Sequence, residues 1–160
     1  MHTGNIRIAL YQPELAPNFG AMLRLCACLG VDVEIVEPCG FPLDDRRIRR
    51  SGMDYLEHVR YRRHLDWGAF RAWLAEDGRR LVLLSRHAAL AYHRVSYEAG
   101  DVLLLGRESR GVPDIVRERA DLAVRIPMRP AVRSLNLVTA AAIVLGEALR
   151  QQGAFDDGEV

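Results

Sequence analysis

Short apolar runs alternate along this chain with segments whose apolar residues recur every three or four positions. "IRIALY", Ile6 to Tyr11, has the composition of a strand. "AMLRLCACLG", Ala21 to Gly30, spaces its apolar side chains for a helix and ends on a glycine suited to a left-handed terminal turn. "VDVEIVE", Val31 to Glu37, places apolar residues at alternate positions and predicts the next strand. "DDRRIRRSG" predicts a short exposed helix, and "WGAFRAWLAEDG" an amphipathic one closing at Gly78. "RLVLLS", "DVLLLG" and "LAVRIP" are continuous apolar runs, the mark of strands buried on both faces. Between the last two, "VPDIVRERA" sets Pro113 where a helix can begin.

Strands alternating with helices predict an α/β fold with a mainly parallel sheet flanked by helices. Ligands of such sheets bind beyond the carboxyl ends of the strands, which points to Ser85, Gly106 and Pro127. The last helical segment, "NLVTAAAIVLGEALRQ", has almost no polar face over its first three turns. A helix apolar all round needs cover on both sides. The sheet supplies one side, so a second copy of the chain is expected on the other, giving a homodimer through the C-terminal helix. Length and the lack of linkers or repeats predict one domain over 1–160, without a separate RNA-binding domain and with a loose acidic tail at 153–160.

Composition adds less than charge type does. The chain is 49% hydrophobic and 27% charged, as an ordinary globular protein is. No apolar run approaches the roughly 20 residues needed to span a membrane. The opening "MHTGNIRIALYQ" has no signal-peptide pattern, so a cytoplasmic location is expected. The net charge is only +1, yet all 22 basic residues are arginine. Arg46, Arg47, Arg49 and Arg50 form one cluster, and Arg60, Arg62 and Arg63 another. Arginine forks match phosphate oxygens, so an RNA footprint is one reading; GC-rich coding is the other. Of the three cysteines, Cys26, Cys28 and Cys39, the first two are read as small buried residues, and the histidines lack ligand spacing, so no metal is expected. Tyr11, Trp67 and Trp73 are assigned to the core. Signatures for dinucleotides, P-loops and nucleophile elbows are missing. The residues themselves leave an α/β ligand-binding domain with arginine-rich turns at its strand ends.

Three segments in order carry a resemblance. "YQPELAPNFGAMLRLCACLG", "LLLGRESRGVP" and "VRIPMRPAVRSLNLVTAAAIVLGEALR" resemble the three motifs of the SPOUT-class RNA 2′-O-ribose methyltransferases. "EPCGFPLDDRRIRRSGMDY" is similar to a segment of the subset that modifies the tRNA wobble nucleotide. The resemblance runs from about Ile6 to Gln152, with Ala21, Arg107 and Gly146 where Asn, Pro and Tyr are expected. It implies a deep C-terminal trefoil knot, which sequence physics alone argues against. It also implies S-adenosyl-L-methionine as methyl donor and the 2′-hydroxyl of nucleotide 34 in the tRNA anticodon loop as target, with leucine tRNAs preferred.

Residue by residue, the resemblance implies cofactor binding at Leu84, Gly106, Ile126, Met128, Ser134 and Leu135. It implies catalytic roles for Arg24, Asn18 and Glu108, and RNA contacts at Arg110, Arg46, Arg49, Arg50 and Asn136. Simpler roles stay open beside these: a surface pair for Arg24, capping for Asn18, Ser134 and Asn136, and an ion pair of Glu108 with Arg107 or Arg110. Other open readings of the whole are methylation of another tRNA or rRNA position, an RNA-binding protein without catalysis, and a small-molecule binder.

Overall fold

The computed structural model describes residues 5–44, 46, 57–132 and 134–156. Seven strands form one sheet: β1 (Arg7–Tyr11), β2 (Asp32–Val36), β3 (Tyr61–His64), β4 (Leu81–Leu84), β5 (Leu90–Ala91), β6 (Val102–Leu105) and β7 (Leu122–Arg125). Their order is β3-β2-β1-β6-β4-β7-β5, and every described pair is parallel. Among the described residues four α-helices flank it: α1 (Ala16–Leu29), α2 (Trp67–Asp77), α3 (Asp114–Arg119) and α4 (Leu137–Gln151). The expected parallel α/β sheet is therefore present.

The continuous apolar runs are explained by cover on both faces. In β6, Leu103 and Leu105 pack with α1 and α4, while Val102 and Leu104 pack with α2 and α3. In β1, Ile8 and Leu10 take the first side, and Ala9 and Tyr11 the second. Because side chains alternate faces along a strand, a strand covered on both sides must be apolar throughout. Phe19, Met22, Leu23 and Cys26 of α1 meet Ala141, Val144, Leu145 and Ala148 of α4 on one face. Phe70 and Leu74 of α2, with Val116 of α3, fill the other.

Several boundaries and surroundings differ from the sequence expectation. Helix α1 begins at Ala16, not Ala21, with Pro17 in its first turn, where a missing N–H leaves no bond unmade. It ends as expected at Gly30, whose φ of 67° is left-handed. Asp66 caps α2 by accepting from Ala69 N–H at 2.8 Å, and Gly78 closes it. Cys26 is buried, but Cys28, two positions on, is exposed. Helical geometry turns i and i+2 to different faces, which corrects the reading of both as buried.

Strands β3 and β5 were not foreseen. β3 is the edge sequence "YRRH", with Arg62 and Arg63 exposed and His64 buried. His64 Nε2 lies 2.7 Å from Glu34 Oε2, and Arg7 Nη1 donates to Glu34 Oε1 at 3.0 Å. Glu34 is thus a polar position of β2 that is nevertheless fully buried, tolerated because it is paired. Tyr11 is buried, and Trp67 and Trp73 pack against the core, as assigned. Gly153 to Asp156 turn back on α4, with Ala154 N–H donating to Leu149 C=O at 3.0 Å.

Candidate active site

The chain crosses the carboxyl ends of three neighbouring strands in succession, after β4, β6 and β7. The loops that follow enclose one cavity of about 340 Å³. Its size falls within the roughly 300–1,000 Å³ typical of small-molecule sites. Leu84, Gly106, Ile126, Met128, Ser134 and Leu135, the six residues expected around the cofactor, all line it. Ser85 lines it as well; Pro127 does not, although both its neighbours do.

The loop after β6 is held by unusually close backbone packing. A Cβ on Gly106 would lie 2.7 Å from the carbonyl carbon of Gly111 and 2.8 Å from its Cα. The two strands of the turn meet there, with Arg107 N–H donating to Gly111 C=O and Gly111 N–H donating to Arg107 C=O, both at 3.0 Å. Gly111 adopts a φ of 61°, a conformation that L side chains rarely hold. Arg107 adds a third bond, Nε to Gly111 O at 2.9 Å, and its guanidinium lies 5.4 Å from the Tyr11 ring centre. The two glycines therefore answer first to the closure of the loop itself.

That loop is tied to the one after β1 by a reciprocal pair. Glu14 N–H donates to Glu108 Oε2 at 3.0 Å. The Glu14 carboxylate accepts from Ser109 N–H at 3.0 Å and from Ser109 Oγ at 2.8 Å. The Ser109 backbone bond, then its hydroxyl, holds the Glu14 carboxyl below its usual range. Gly40 completes the junction, since a Cβ there would meet Glu14 O at 2.8 Å. Among the described residues Glu108 pairs with neither Arg107 nor Arg110, and its buried Oε1 faces no partner. Glu108 lines the cavity, and an unmet buried acceptor there suits a ligand donor.

Asn18 and Asn136 are brought together, with Asn136 Nδ2 donating to Asn18 Oδ1 at 3.1 Å. Asn136 also caps α4, its Oδ1 accepting from Val138 N–H at 2.9 Å and Thr139 N–H at 3.2 Å. Neither lines the cavity, nor does Arg24, which lies on the exposed face of α1 with Pro17, Ala21 and Cys28. Arg110 is exposed at the cavity rim. Arg46 is exposed, its N–H bonded to Asp44 Oδ1, while Arg49 and Arg50, with most of the expected "DDRRIRRSG" helix, lie outside the described residues.

Sequence reasoning missed Glu14 and the cavity residues Arg86, His87, Arg117 and Arg125. Arg86 and Arg125 sit at the ends of strands β4 and β7, so the strand-end rule that marked Ser85 could have found both. Glu14 carries no such mark, because its partners are 94 and 95 positions away. Among the described residues no group of three or more His, Cys, Asp or Glu side chains is placed to hold a metal ion.

The SpoU rRNA Methylase family model matches residues 5–146. The chain belongs to this family. A protein of Beijerinckia indica named tRNA (cytidine(34)-2′-O)-methyltransferase is 58% identical over 148 residues, covering 92% of each chain. One of the same name from Escherichia coli K12 is 44% identical, covering 92% of this chain and 94% of that one. A solved structure described as "Structural insights into the 2-OH methylation of C/U34 on tRNA" matches with a TM-score of 0.84 at 36% identity, covering 95% and 93%. An AdoMet-bound rRNA methyltransferase from Sinorhizobium meliloti matches with a TM-score of 0.82 at 26% identity, but only 58% of that chain is covered.

Proposed function

We propose that this protein transfers the methyl group of S-adenosyl-L-methionine to the ribose 2′-hydroxyl of nucleotide 34 in tRNA. The observation that carries the reading is the cavity itself: one space at three adjacent strand ends, lined by all six residues singled out for the cofactor. The relatives named for nucleotide 34 are 58% and 44% identical to this chain, whereas the rRNA enzyme is 26% identical. That favours tRNA over rRNA as substrate.

The residues present fit S-adenosyl-L-methionine. Leu84, Ile126, Met128 and Leu135 offer apolar surface for an adenine ring, while loop backbone groups and the unpartnered Glu108 Oε1 offer polar contacts. The cofactor supplies an electrophilic methyl group. The knot implied by the resemblance would be formed by the loops after β6 and β7 that wall this cavity.

Arg24 is assigned to the target ribose. A guanidinium stays protonated in proteins, so its role is to stabilise developing negative charge on the 2′-oxygen and to hold a phosphate, with water or phosphate taking the proton. Arg24 lies outside its own chain's cavity, which supports a shared site in which it serves the cavity of a second copy. The partly covered residues Ala142, Ile143 and Gly146 on α4 supply an apolar surface for that homodimer. Leucine tRNAs as preferred substrates and a cytoplasmic location complete the reading.

The test is incubation with S-adenosyl-L-methionine and total tRNA from a host lacking the gene, followed by nuclease digestion and mass spectrometry. A new 2′-O-methyl at nucleotide 34 is the expected product. A methyl at another position moves the protein to a sister activity, and failure both to bind the cofactor and to methylate refutes the reading. Arg24→Lys should keep measurable activity and Arg24→Ala almost none.

A further inference from the structure

Charge around the cavity is one-sided. Its lining includes Arg86, Arg107, Arg110, Arg117 and Arg125 against a single carboxylate, Glu108. Two of the arginines are occupied: Arg107 by Gly111 C=O and the Tyr11 ring, and Arg117 by Asp114 Oδ1 at 2.9 Å. Glu108 is directed to the Glu14 N–H. Among the described residues Arg86 and Arg125 have no carboxylate partner, and Arg110 makes no close ion pair and feels only the field of the Glu14 carboxylate on the neighbouring Ser109; Arg86 donates only to His87 Nε2, at 3.3 Å. Accepting that bond requires the unprotonated nitrogen, so His87 leaves the positive charge uncompensated.

Topology brings these three cations together. Arg110 follows β6, Arg86 follows β4 and Arg125 ends β7, and β6, β4 and β7 are consecutive in the sheet. Neighbouring strands lie roughly 4.8 Å apart, so the three strand ends from which these segments leave lie within roughly 10 Å of one another, and all three arginines line the same cavity. S-adenosyl-L-methionine does not call for such a surplus: its one carboxylate is outweighed by an ammonium and a sulfonium. A ligand carrying several negative charges does, and guanidinium forks match phosphate oxygens.

We infer that Arg86 and Arg125, with Arg110, form a clamp for consecutive phosphates of the RNA strand that presents the target nucleotide. The inference rests on the proposed function and assigns two residues to substrate binding that the family motifs did not single out. Phosphate contacts position a substrate without reading its bases. The clamp would hold the ribose over the cavity and leave the choice of tRNA to contacts elsewhere.

The experiment measures tRNA binding by filter retention between 50 and 200 mM KCl for wild type, Arg86→Gln and Arg125→Gln. Each variant should bind about tenfold more weakly at low salt and lose about one unit from the slope of log K against log[KCl]. Arg86→Lys and Arg125→Lys should restore most of the slope, which a merely structural role would not predict. Arg119→Gln, whose guanidinium pairs with Asp121 away from the cavity, should match wild type in both. Calorimetric affinity for S-adenosyl-L-methionine should change less than tRNA affinity in the two Gln variants. Unchanged affinity and slope for tRNA would overturn the clamp. So would a loss confined to cofactor binding, which would assign the arginines to the cofactor carboxylate. Wild-type methylation of nucleotide 34 alongside unaffected variants would sink the clamp and leave the proposed function standing. A methyl placed at another nucleotide, with the variants still impaired, would do the reverse.

Discussion

Replacing Gly106 by alanine inserts one methyl group where two backbone segments touch. The new Cβ would stand 2.7 Å from the Gly111 carbonyl carbon, where ordinary contact begins at 3.4 Å, so the segments must part by about 0.7 Å. The neighbours are backbone atoms, which have no side-chain rotamer to yield. Both Arg107–Gly111 hydrogen bonds, now 3.0 Å, would open toward roughly 3.7 Å, beyond useful geometry. At about 1 kcal/mol each, their loss gives about 2 kcal/mol, and residual overpacking adds about 1 kcal/mol or more. Because the loop walls the cavity, that cost is expected as weaker binding of S-adenosyl-L-methionine, by roughly 30- to 150-fold for 2–3 kcal/mol. Isothermal titration calorimetry reads it directly.

A comparison glycine makes the experiment decisive. Gly20 lies inside α1, and a Cβ there would meet nothing within 4 Å. Gly20→Ala should therefore raise stability by about 0.5–1 kcal/mol through backbone entropy, which is about 1–4 °C in melting temperature for a domain of this size. The steric reasoning fails if Gly106→Ala binds the cofactor within a factor of two of wild type. It also fails if the two variants shift melting temperature alike.

Three other outcomes follow from local geometry. Glu14→Ala should free the Ser109 side of the loop and weaken cofactor binding by several-fold, while Glu14→Gln, which keeps an acceptor for Ser109, should retain most of it; equal losses in a calorimetric titration would refute the latch. Asp66→Ala removes the α2 cap and should cost about 1 kcal/mol, seen as a drop of about 2–4 °C by scanning calorimetry with cofactor affinity unchanged. Burial pushes the Cys26 thiol up to about 12 and the Cys39 thiol up to about 11, leaving little thiolate on either at pH 8. Iodoacetamide at that pH should therefore modify the exposed Cys28 first and all three cysteines only after unfolding, as read by mass spectrometry; Cys26 reacting as fast as Cys28 would contradict the packing.

The central strands were legible because their environment is uniform. β4, β6 and β7 are covered on both faces, and a continuous apolar run has few other uses. β3 escaped because an edge strand can afford "YRRH", whose burial depends on a glutamate in a different strand. The cavity was legible only in part from local features: strand ends pointed to Ser85 and Gly106, while Leu84, Ile126, Met128, Ser134 and Leu135 came from the resemblance. What could not be read were bonds between distant segments. Glu14 to Ser109 and Asn18 to Asn136 join residues 95 and 118 positions apart, and no residue in either pair is unusual in its own neighbourhood.

Those distant bonds bear on why residues of the first motif lie outside the cavity. Helix α1 is fixed at its start by two ties, Glu14 to the loop after β6 and Asn18 to the cap of α4. Both tied loops wall the cavity, so the direction of α1 is set by the same segments that shape it. From Asn18 to Arg24 the helix advances six residues, roughly 600° of rotation, so the two side chains project about 120° apart. Asn18 faces α4 and Arg24 faces outward. A helix so anchored presents its arginine at a fixed position on the molecular surface rather than to its own cavity. Under the shared-site reading, the ties that hold the cofactor loops also set the arginine that a second copy receives, so cofactor geometry and arginine placement would vary together.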